Sequence, residues 1–346
     1  MKKVKHKRNV VLADCPAEEV RSLLDGMNLV ADNKYECISE VACGIRTGLI
    51  SEVKRYLAYF RAAWHAYKAR NEYGVVVGWQ QFYALIFCFY CNLFHVKKEN
   101  KVVALNFTYR EKEGIIGKIY AIFMRKCVCG GYLDYIHVLS NDYADVISKD
   151  LRFPKEKIIV TPFGIDDIYS HWKDSQAPVG YIRNNYAMSI GRSNRDFDLL
   201  IDVWKNIDFP LVIISDTYIP PKTLPKNVKV IGNVAGDDQY PYIVNAKLVI
   251  IPIKDGRICS GDTVLLTALS FERTVVVTEP STLGEMYIKN ESNGYLVSKN
   301  PNEMSSLIKD IISGKKSETG MNARKSYLKE FSRYSMGKKV SEIIGE

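Results

Sequence analysis

The sequence predicts an α/β chain of two Rossmann-like, doubly wound parallel-sheet domains, and three observations carry that prediction. Short β-branched runs alternate with longer amphipathic stretches through both halves of the chain. The length of 346 residues, 47% of them hydrophobic and 25% charged, is globular and too long for one typical domain. The composition turns polar near Ile165–Tyr181, where Pro178 and Gly180 break the pattern, so a join is expected there.

The chain opens MKKVKHKRNVVLADCPAEE, a basic start whose apolar run extends only from Val10 to Ala13 before Asp14, so no secretory signal is expected. In the first half the expected strands are Asn9–Ala13, Gly74–Val77, Val102–Asn106, Tyr135–Leu139 and Lys157–Val160, with helices such as Ile115–Cys127 and Asn141–Lys149 between them. The most apolar segment, Gly74 to Val96, is long enough to span a bilayer. Gln80, Gln81 and Asn92 interrupt it, so it reads instead as a buried strand running into a buried helix. The second half gives strands Tyr186–Ile190, Leu211–Ser215, Val228–Ile231, Leu248–Ile251 and Thr274–Val277, separated by helices Phe197–Asn206, Asp237–Asn245 and Gly261–Phe271. Right-handed crossovers turn each series into a parallel sheet whose ligands sit beyond the carboxyl ends of the strands. The expected domains are 1–172 and 173–329, with a C-terminal helix, 330–346, packing back on the first.

Charge and cysteine usage narrow the partners. Net charge is +9, and the first 150 residues, with 22 Lys+Arg against 16 Asp+Glu, are the more basic part, which suits phosphates or an anionic membrane surface. No nucleic-acid module or dense basic stripe accompanies that charge, so nucleic acid is not an expected partner. The eight cysteines include Cys88-x2-Cys91 and Cys127-x-Cys129 without matching ligand pairs at zinc spacing, and they read as structural thiols of a reducing cytoplasm. No dinucleotide fingerprint, P-loop, His-x3-His or G-x-S-x-G elbow follows any candidate strand, which disfavours nicotinamide chemistry, P-loop phosphoryl transfer and serine hydrolysis. No metal site and no cofactor are expected.

What remains are strand-end loops of the second half. The strand Tyr186–Ile190 runs into Gly191-Arg192-Ser193-Asn194-Arg195-Asp196, placing two guanidinium groups three residues apart beside a glycine, and arginine forks suit phosphate oxygens. A second strand ends in Gly232-Asn233, and a third is followed by Ser260-Gly261-Asp262-Thr263. The small residues of that run leave the free N–H groups of a helix start accessible to an anion, with Asp262 expected to cap the helix or face a sugar hydroxyl. Arg192, Arg195 and Ser260–Thr263 on one sheet read together as a diphosphate site.

The ordered segments SIGRSNRDFDLLIDVW, VKVIGNV, NAKLVIIPI, SGDTVLLTALSFERTVVVT and NESNGYLV, with KIIVTPFGID upstream, resemble the donor domain of GT-B glycosyltransferases of the family 4, or group 1, type. That resemblance implies two facing Rossmann-like domains (GT-B), a nucleotide-diphosphate sugar held by the second as substrate, and an acceptor held mainly by the first. Gly191 and Arg192 match the family's Gly-Arg, Arg195 lies where a diphosphate-binding basic residue comes, and Ser260–Thr263 match the phosphate-facing turn. The family's paired glutamates fall on Cys259 and Thr267, which cannot do carboxylate work. The family's frequent histidine is replaced by the loop Asn106-Phe107-Thr108-Tyr109-Arg110, where Asn106, Thr108 and Tyr109 can hydrogen-bond an acceptor sugar but cannot act as strong bases. His137 reads as structural.

The implied reaction is a retaining, metal-independent hexosyl transfer. The departing diphosphate accepts the acceptor's proton, while Arg192, Arg195 and the Asp262–Thr263 helix start stabilise the leaving charge. A helix Lys54–Arg70, with Tyr56, Leu57, Phe60, Trp64 and Tyr67 on one face and basic residues on the other, either packs on the first sheet or lies at a membrane interface. With Lys97-Lys98 and Arg125-Lys126 it points to a lipid-linked or saccharide acceptor in surface polysaccharide assembly, in the cytoplasm and peripherally at the inner face of the plasma membrane. The alternatives are an inactive sugar-nucleotide-binding or partner subunit and a nucleotide-sugar 2-epimerase. The epimerase needs proton-transfer groups in which these loops are poor.

Overall fold

A computed structural model describes residues 7–40, 49–258 and 260–345. The chain divides into two compact units, Met1–Phe163 with Arg333–Glu346, and Gly164–Ser332, so the boundary falls at Phe163/Gly164 rather than at 172/173.

The first unit holds six parallel strands: β1 (Arg8–Ala13), β2 (Tyr35–Ser39), β3 (Tyr73–Gly78), β4 (Lys101–Ala104), β5 (Tyr135–Val138) and β6 (Ile158–Val160), in the order β2-β1-β3-β4-β5-β6. Five helices follow the strands: α1 (Arg21–Val30), α2 (Leu49–Lys68), α3 (Gln81–Leu93), α4 (Gly114–Cys129) and α5 (Asn141–Leu151). Alternate residues of each strand serve opposite faces. Val10, Leu12, Val76, Val102 and Ile136 bury against α2–α5, whereas Val11, Val77, Val103 and Ile159 bury against Leu23 and Met27 of α1. Both faces are covered, which is why these strands read as continuous apolar runs. The apolar segment Gly74–Val96 is accordingly β3 followed by α3, with Leu85, Phe87 and Cys88 in the core. No helix among the described residues is long and apolar enough to cross a membrane.

The second unit repeats the plan with β7 (Ala187–Ile190), β8 (Leu211–Ile214), β9 (Val228–Ile231), β10 (Leu248–Ile251), β11 (Thr274–Glu279) and β12 (Tyr295–Ser298). The order is β12-β11-β10-β7-β8-β9, all parallel. Its helices are α6 (Tyr169–Trp172), α7 (Phe197–Trp204), α8 (Tyr240–Asn245), α9 (Asp262–Ser270), α10 (Thr282–Tyr287), α11 (Pro301–Ile312) and α12 (Gly320–Ser326). The expected helix Asp237–Asn245 is a 3₁₀ turn, Gly236–Gln239, leading into α8. From β7 the sheet grows one way through β8 and β9, and from β10 it grows the other way. The crevice beyond the carboxyl ends of β7 and β10 is therefore the topological switch point, the place where such sheets bind ligands.

The final helix, α13 (Arg333–Gly345), belongs to the first unit, where Met336, Val340 and Ile344 complete the core beside α1. Glycines bring the two backbones together. A Cβ on Gly26 would lie 2.9 Å from the Tyr334 carbonyl carbon and closer still to its oxygen, and one on Gly337 would lie 3.0 Å from that of Leu23.

Candidate active site

At the switch point the loop after β7 is built around Asn194 and Arg195. Asn194 sits at φ 55°, a left-handed conformation that asparagine tolerates. From there its side chain clamps the loop after β10: Nδ2 donates to the Asp255 carbonyl at 3.0 Å and to Ser260 Oγ at 3.1 Å, and Oδ1 accepts from the Asp255 N–H at 2.8 Å. Asp196 N–H donates to the Pro252 carbonyl at 2.8 Å, closing the same junction. The Asp196 carboxylate accepts from Leu199 N–H at 3.1 Å and caps α7.

Arg195 lies between the two loops. Its Nε donates to the Ile190 carbonyl at 3.4 Å and Nη1 to the Ser193 carbonyl at 3.2 Å, with Ser260 Oγ 3.5 Å from Nη1. A Cβ on Gly191 would stand 2.8 Å from Arg195 Nε, and one on Gly261 would stand 3.0 Å from Cζ and closer still to Nη2. At both positions the guanidinium occupies the space a side chain would take, so a larger residue would displace it, and at Gly261 the positive φ favours glycine as well. Burial lowers the Arg195 pKa to about 10 against the opposing pull of Asp262, which leaves it charged at neutral pH. No carboxylate among the described residues forms an ion pair with it.

The helix α9 begins beside this cation. Its cap is Gly261 at φ 99°, with no side-chain hydrogen bond, and Asp262 is the first helical residue. Of the two roles expected of Asp262, capping the helix is corrected, since a glycine in that conformation supplies the cap position and the Asp262 carboxylate instead raises the Arg195 pKa against burial; facing a sugar hydroxyl stays an expectation. The first intrahelical bond runs from Leu265 N–H to the Gly261 carbonyl at 2.8 Å, so the N–H groups of Asp262, Thr263 and Val264 have no partner among the described residues. Ser260 supplies its hydroxyl to the clamp, and Thr263 is exposed.

Arg192 is placed differently. It is exposed, and its Nη2 pairs with Asp216 Oδ2 at 3.0 Å, while Asp216 Oδ1 accepts from Asn233 N–H at 2.6 Å. Arg192 and Asn233 are therefore joined through Asp216, a carboxylate at the end of β8 that the sequence reading leaves out. The two positions corresponding to glutamates fare unequally. Cys259 lies outside the described residues. Thr267 is buried, and its hydroxyl donates to the Thr263 carbonyl at 2.8 Å, so it faces its own helix. The sequence reading also overlooks one Asp-x-Asp run, Asp196-Phe197-Asp198. The first carboxylate caps α7 and the second accepts from Tyr218 OH at 2.5 Å, so the two serve different partners.

In the first unit β4 stops at Ala104, and Asn106 stands in the loop beyond it at φ 51°. Its N–H donates to His137 Nδ1 at 3.2 Å and its Nδ2 to the Trp79 carbonyl at 3.2 Å, leaving Oδ1 buried without a partner among the described residues. His137 is fully buried, with Nε2 2.9 Å from Thr161 Oγ1, and burial lowers its pKa to about 4. It is a neutral support for the loop. Thr108 N–H donates to Gln81 Oε1 at 2.8 Å and its carbonyl accepts from Gln81 Nε2 at 2.8 Å. Tyr109 is buried, with its backbone bonded through both N–H and carbonyl to Tyr143 OH. The loop Asn106–Tyr109 is thus fixed by Trp79, Gln81 and Tyr143, of which only the placement of Gln81 at a strand-to-helix junction left a trace in the sequence.

Residues 185–313, within the second unit, match the family described as Glycosyl transferases group 1. The fold of the whole chain is that of GT-B glycosyltransferases. A glycosyltransferase from Rickettsia africae ESF-5 is similar at 14% identity over 97% of this chain and 98% of the other, with a TM-score of 0.61. HepE of Anabaena, in complex with UDP, is similar at 13% identity over 98% and 99%, with a TM-score of 0.60. WaaG, a glycosyltransferase involved in lipopolysaccharide biosynthesis, is similar at 15% identity over 97% and 99%, with a TM-score of 0.56. No curated protein matches the chain in sequence.

Proposed function

We propose that the chain transfers a sugar from a nucleoside-diphosphate sugar to a lipid-linked or saccharide acceptor, with retention of configuration and without a metal, in the assembly of a surface polysaccharide. One observation carries this reading: at the switch point of the second sheet, Arg195 is a half-buried cation that forms no ion pair among the described residues and feels only the neighbouring Asp262, beside the open amino end of α9. A half-buried cation in that state suits an anion, and a diphosphate matches both the fork of the guanidinium and the N–H groups at the start of α9. HepE carries UDP and UDP-glucose in its solved structures, which makes a uridine nucleotide the first donor to test.

The chemistry follows from where charge develops. As the sugar–phosphate bond lengthens, negative charge grows on the leaving diphosphate. Arg195, Arg192 and the N–H groups of Asp262 and Thr263 stabilise it, each well-aimed donor contributing on the order of 3 kcal/mol. The diphosphate oxygen takes the acceptor's proton, because Asn106, Thr108 and Tyr109 supply hydrogen bonds and no strong base. Donor candidates are ranked by thermal shift with a series of nucleotide sugars, after which NMR of the product bond and turnover in chelator test the chemistry. A retained anomeric configuration and chelator-resistant turnover support the proposal; inversion, or complete loss of turnover restored by a divalent ion, overturns those parts of it.

One observation favours a second reading, a sugar-nucleotide-binding subunit without transfer: the described member of the glutamate pair is replaced by Thr267, turned onto its own helix. Protein that binds a nucleotide sugar yet releases no nucleoside diphosphate with any acceptor extract selects that reading.

A further inference from the structure

The first unit carries two adjoining pockets on the side of α2 and α4, of about 450 Å³ and about 410 Å³, within the size range of small-ligand sites. Their linings differ in chemistry. The first is mixed, placing Gln81, Thr108, Arg110 and Lys112 beside the hydroxyl-bearing rings of Tyr109 and Tyr143. The second is apolar, lined by Phe60, Phe82, Ile86, Ile119 and Phe123. Tyr56, Phe82, Lys112 and Tyr120 belong to both, so the two form one amphipathic groove. Aromatic packing shapes that shared wall: Tyr56 and Phe82 meet edge to face at 5.6 Å, and Tyr109 stacks on Tyr120 at 6.0 Å.

Charge and exposure define the occupant. Lys112 is exposed, lies 4.7 Å above the Tyr120 ring and has no carboxylate partner among the described residues, and Arg110 is likewise unpaired. Glu111 and Glu113 are their acidic neighbours in sequence, and neither lines the pocket. Around the apolar end, Leu57 of α2 and Ile115, Ile119 and Ile122 of α4 are each more than half exposed. The C-terminal part of α2 packs as a core helix does, with Trp64 against Tyr90 at 5.1 Å, so the apolar stripe expected of Lys54–Arg70 divides between core and surface. A free cation at one end and an open apolar trough at the other complement a single amphiphile.

We propose that this groove binds one lipid carrying a phosphate next to its apolar chain, with the phosphate at Lys112 and Arg110 and the chain along Phe82, Ile119 and Phe123. The assignment rests on the proposed function, of which it names the acceptor class. It also places the lipid's polar end beside Thr108 and Tyr109, the residues expected to meet the acceptor.

The test is calorimetric titration of the whole chain with decyl phosphate below its micellar concentration, with decanol and inorganic phosphate as controls. Decyl phosphate is expected to bind at least tenfold more tightly than either control. Lys112→Gln and Ile119→Glu, both at exposed positions, are each expected to weaken it tenfold or more, while nucleoside diphosphate affinity stays unchanged in the same preparations. Equal affinity for decyl and inorganic phosphate, or unchanged decyl phosphate affinity in both variants, overturns the groove. Loss of nucleotide binding in unmodified protein instead overturns the donor site, so the two failures are distinguishable. Binding that appears only on anionic vesicles, and not with the monomeric amphiphile, also refutes the groove in favour of a flat membrane contact.

Discussion

Gly261→Ala separates the proposed diphosphate seat from an ordinary helix start. The residue is at φ 99°, where an alanine is strained by about 1–3 kcal/mol. Its new Cβ would lie 3.0 Å from Arg195 Cζ and nearer still to Nη2, so the guanidinium has to leave its place between the loops. A lost charge-assisted contact costs about 1.5–3 kcal/mol, which is a rise of about 10- to 150-fold in Kd for a nucleoside diphosphate. The strain lowers the melting temperature by about 3–10 °C in a domain of this size. Titration calorimetry reads the affinity and scanning calorimetry the stability. A cycle with Arg195→Ala supplies the decisive comparison: once the arginine is gone, Gly261→Ala has little more affinity to remove. Native affinity in Gly261→Ala, or full additivity of the two substitutions, refutes the idea that the glycine serves the guanidinium.

Arg192→Ala weakens the diphosphate less than Arg195→Ala does, since Arg192 is exposed and already paired with Asp216; the reverse order in titration counts against the geometry. Asn194→Ala removes the clamp on Asp255 and Ser260 and destabilises the second unit by about 1–3 kcal/mol, read as faster amide exchange across residues 254–263. His137 is neutral in the fold with its pKa lowered to about 4, below the unfolded value near 6.5. The unfolded chain takes up that proton first as pH falls, so stability is complete above about 6.5. About 3 kcal/mol is then lost on acidification to about 4, a slope that urea titrations of His137→Gln lack. Gly26→Ala drives a Cβ into the Tyr334 backbone and costs about 1–3 kcal/mol in chemical denaturation, with α13 loosening first.

The sheet plan was legible because buried parallel strands carry continuous apolar runs; β7, β8 and β10 are buried at every position, and each stands where the sequence predicts a strand. The strands left unassigned, β2 and β12, are both edges. Tyr35–Ser39 carries Glu36 and Ser39 and is mostly half-exposed, so its apolar signal is weak. The helix α1 was hidden by Gly26, which serves the close passage of α13 and contradicts local helix propensity for a tertiary reason. In the second unit the glycines and arginines were legible as types and spacing, because the vocabulary of the proposed phosphate seat is narrow. Their unequal roles were not. That Arg195 is half-buried and Arg192 paired depends on Asp216, Ser260 and Gly261, brought together only by the sheet order β10-β7-β8. Asn194 was invisible for a related reason: its worth lies in a left-handed backbone that aims its amide at another loop.

The most direct measurement is a crystal structure of the chain with a nucleoside-diphosphate sugar. The diphosphate is expected at the carboxyl end of β7, its oxygens on Arg195 and on the N–H groups of Asp262 and Thr263. A donor bound anywhere else in the second unit, with Arg195 and the start of α9 left untouched, contradicts that placement.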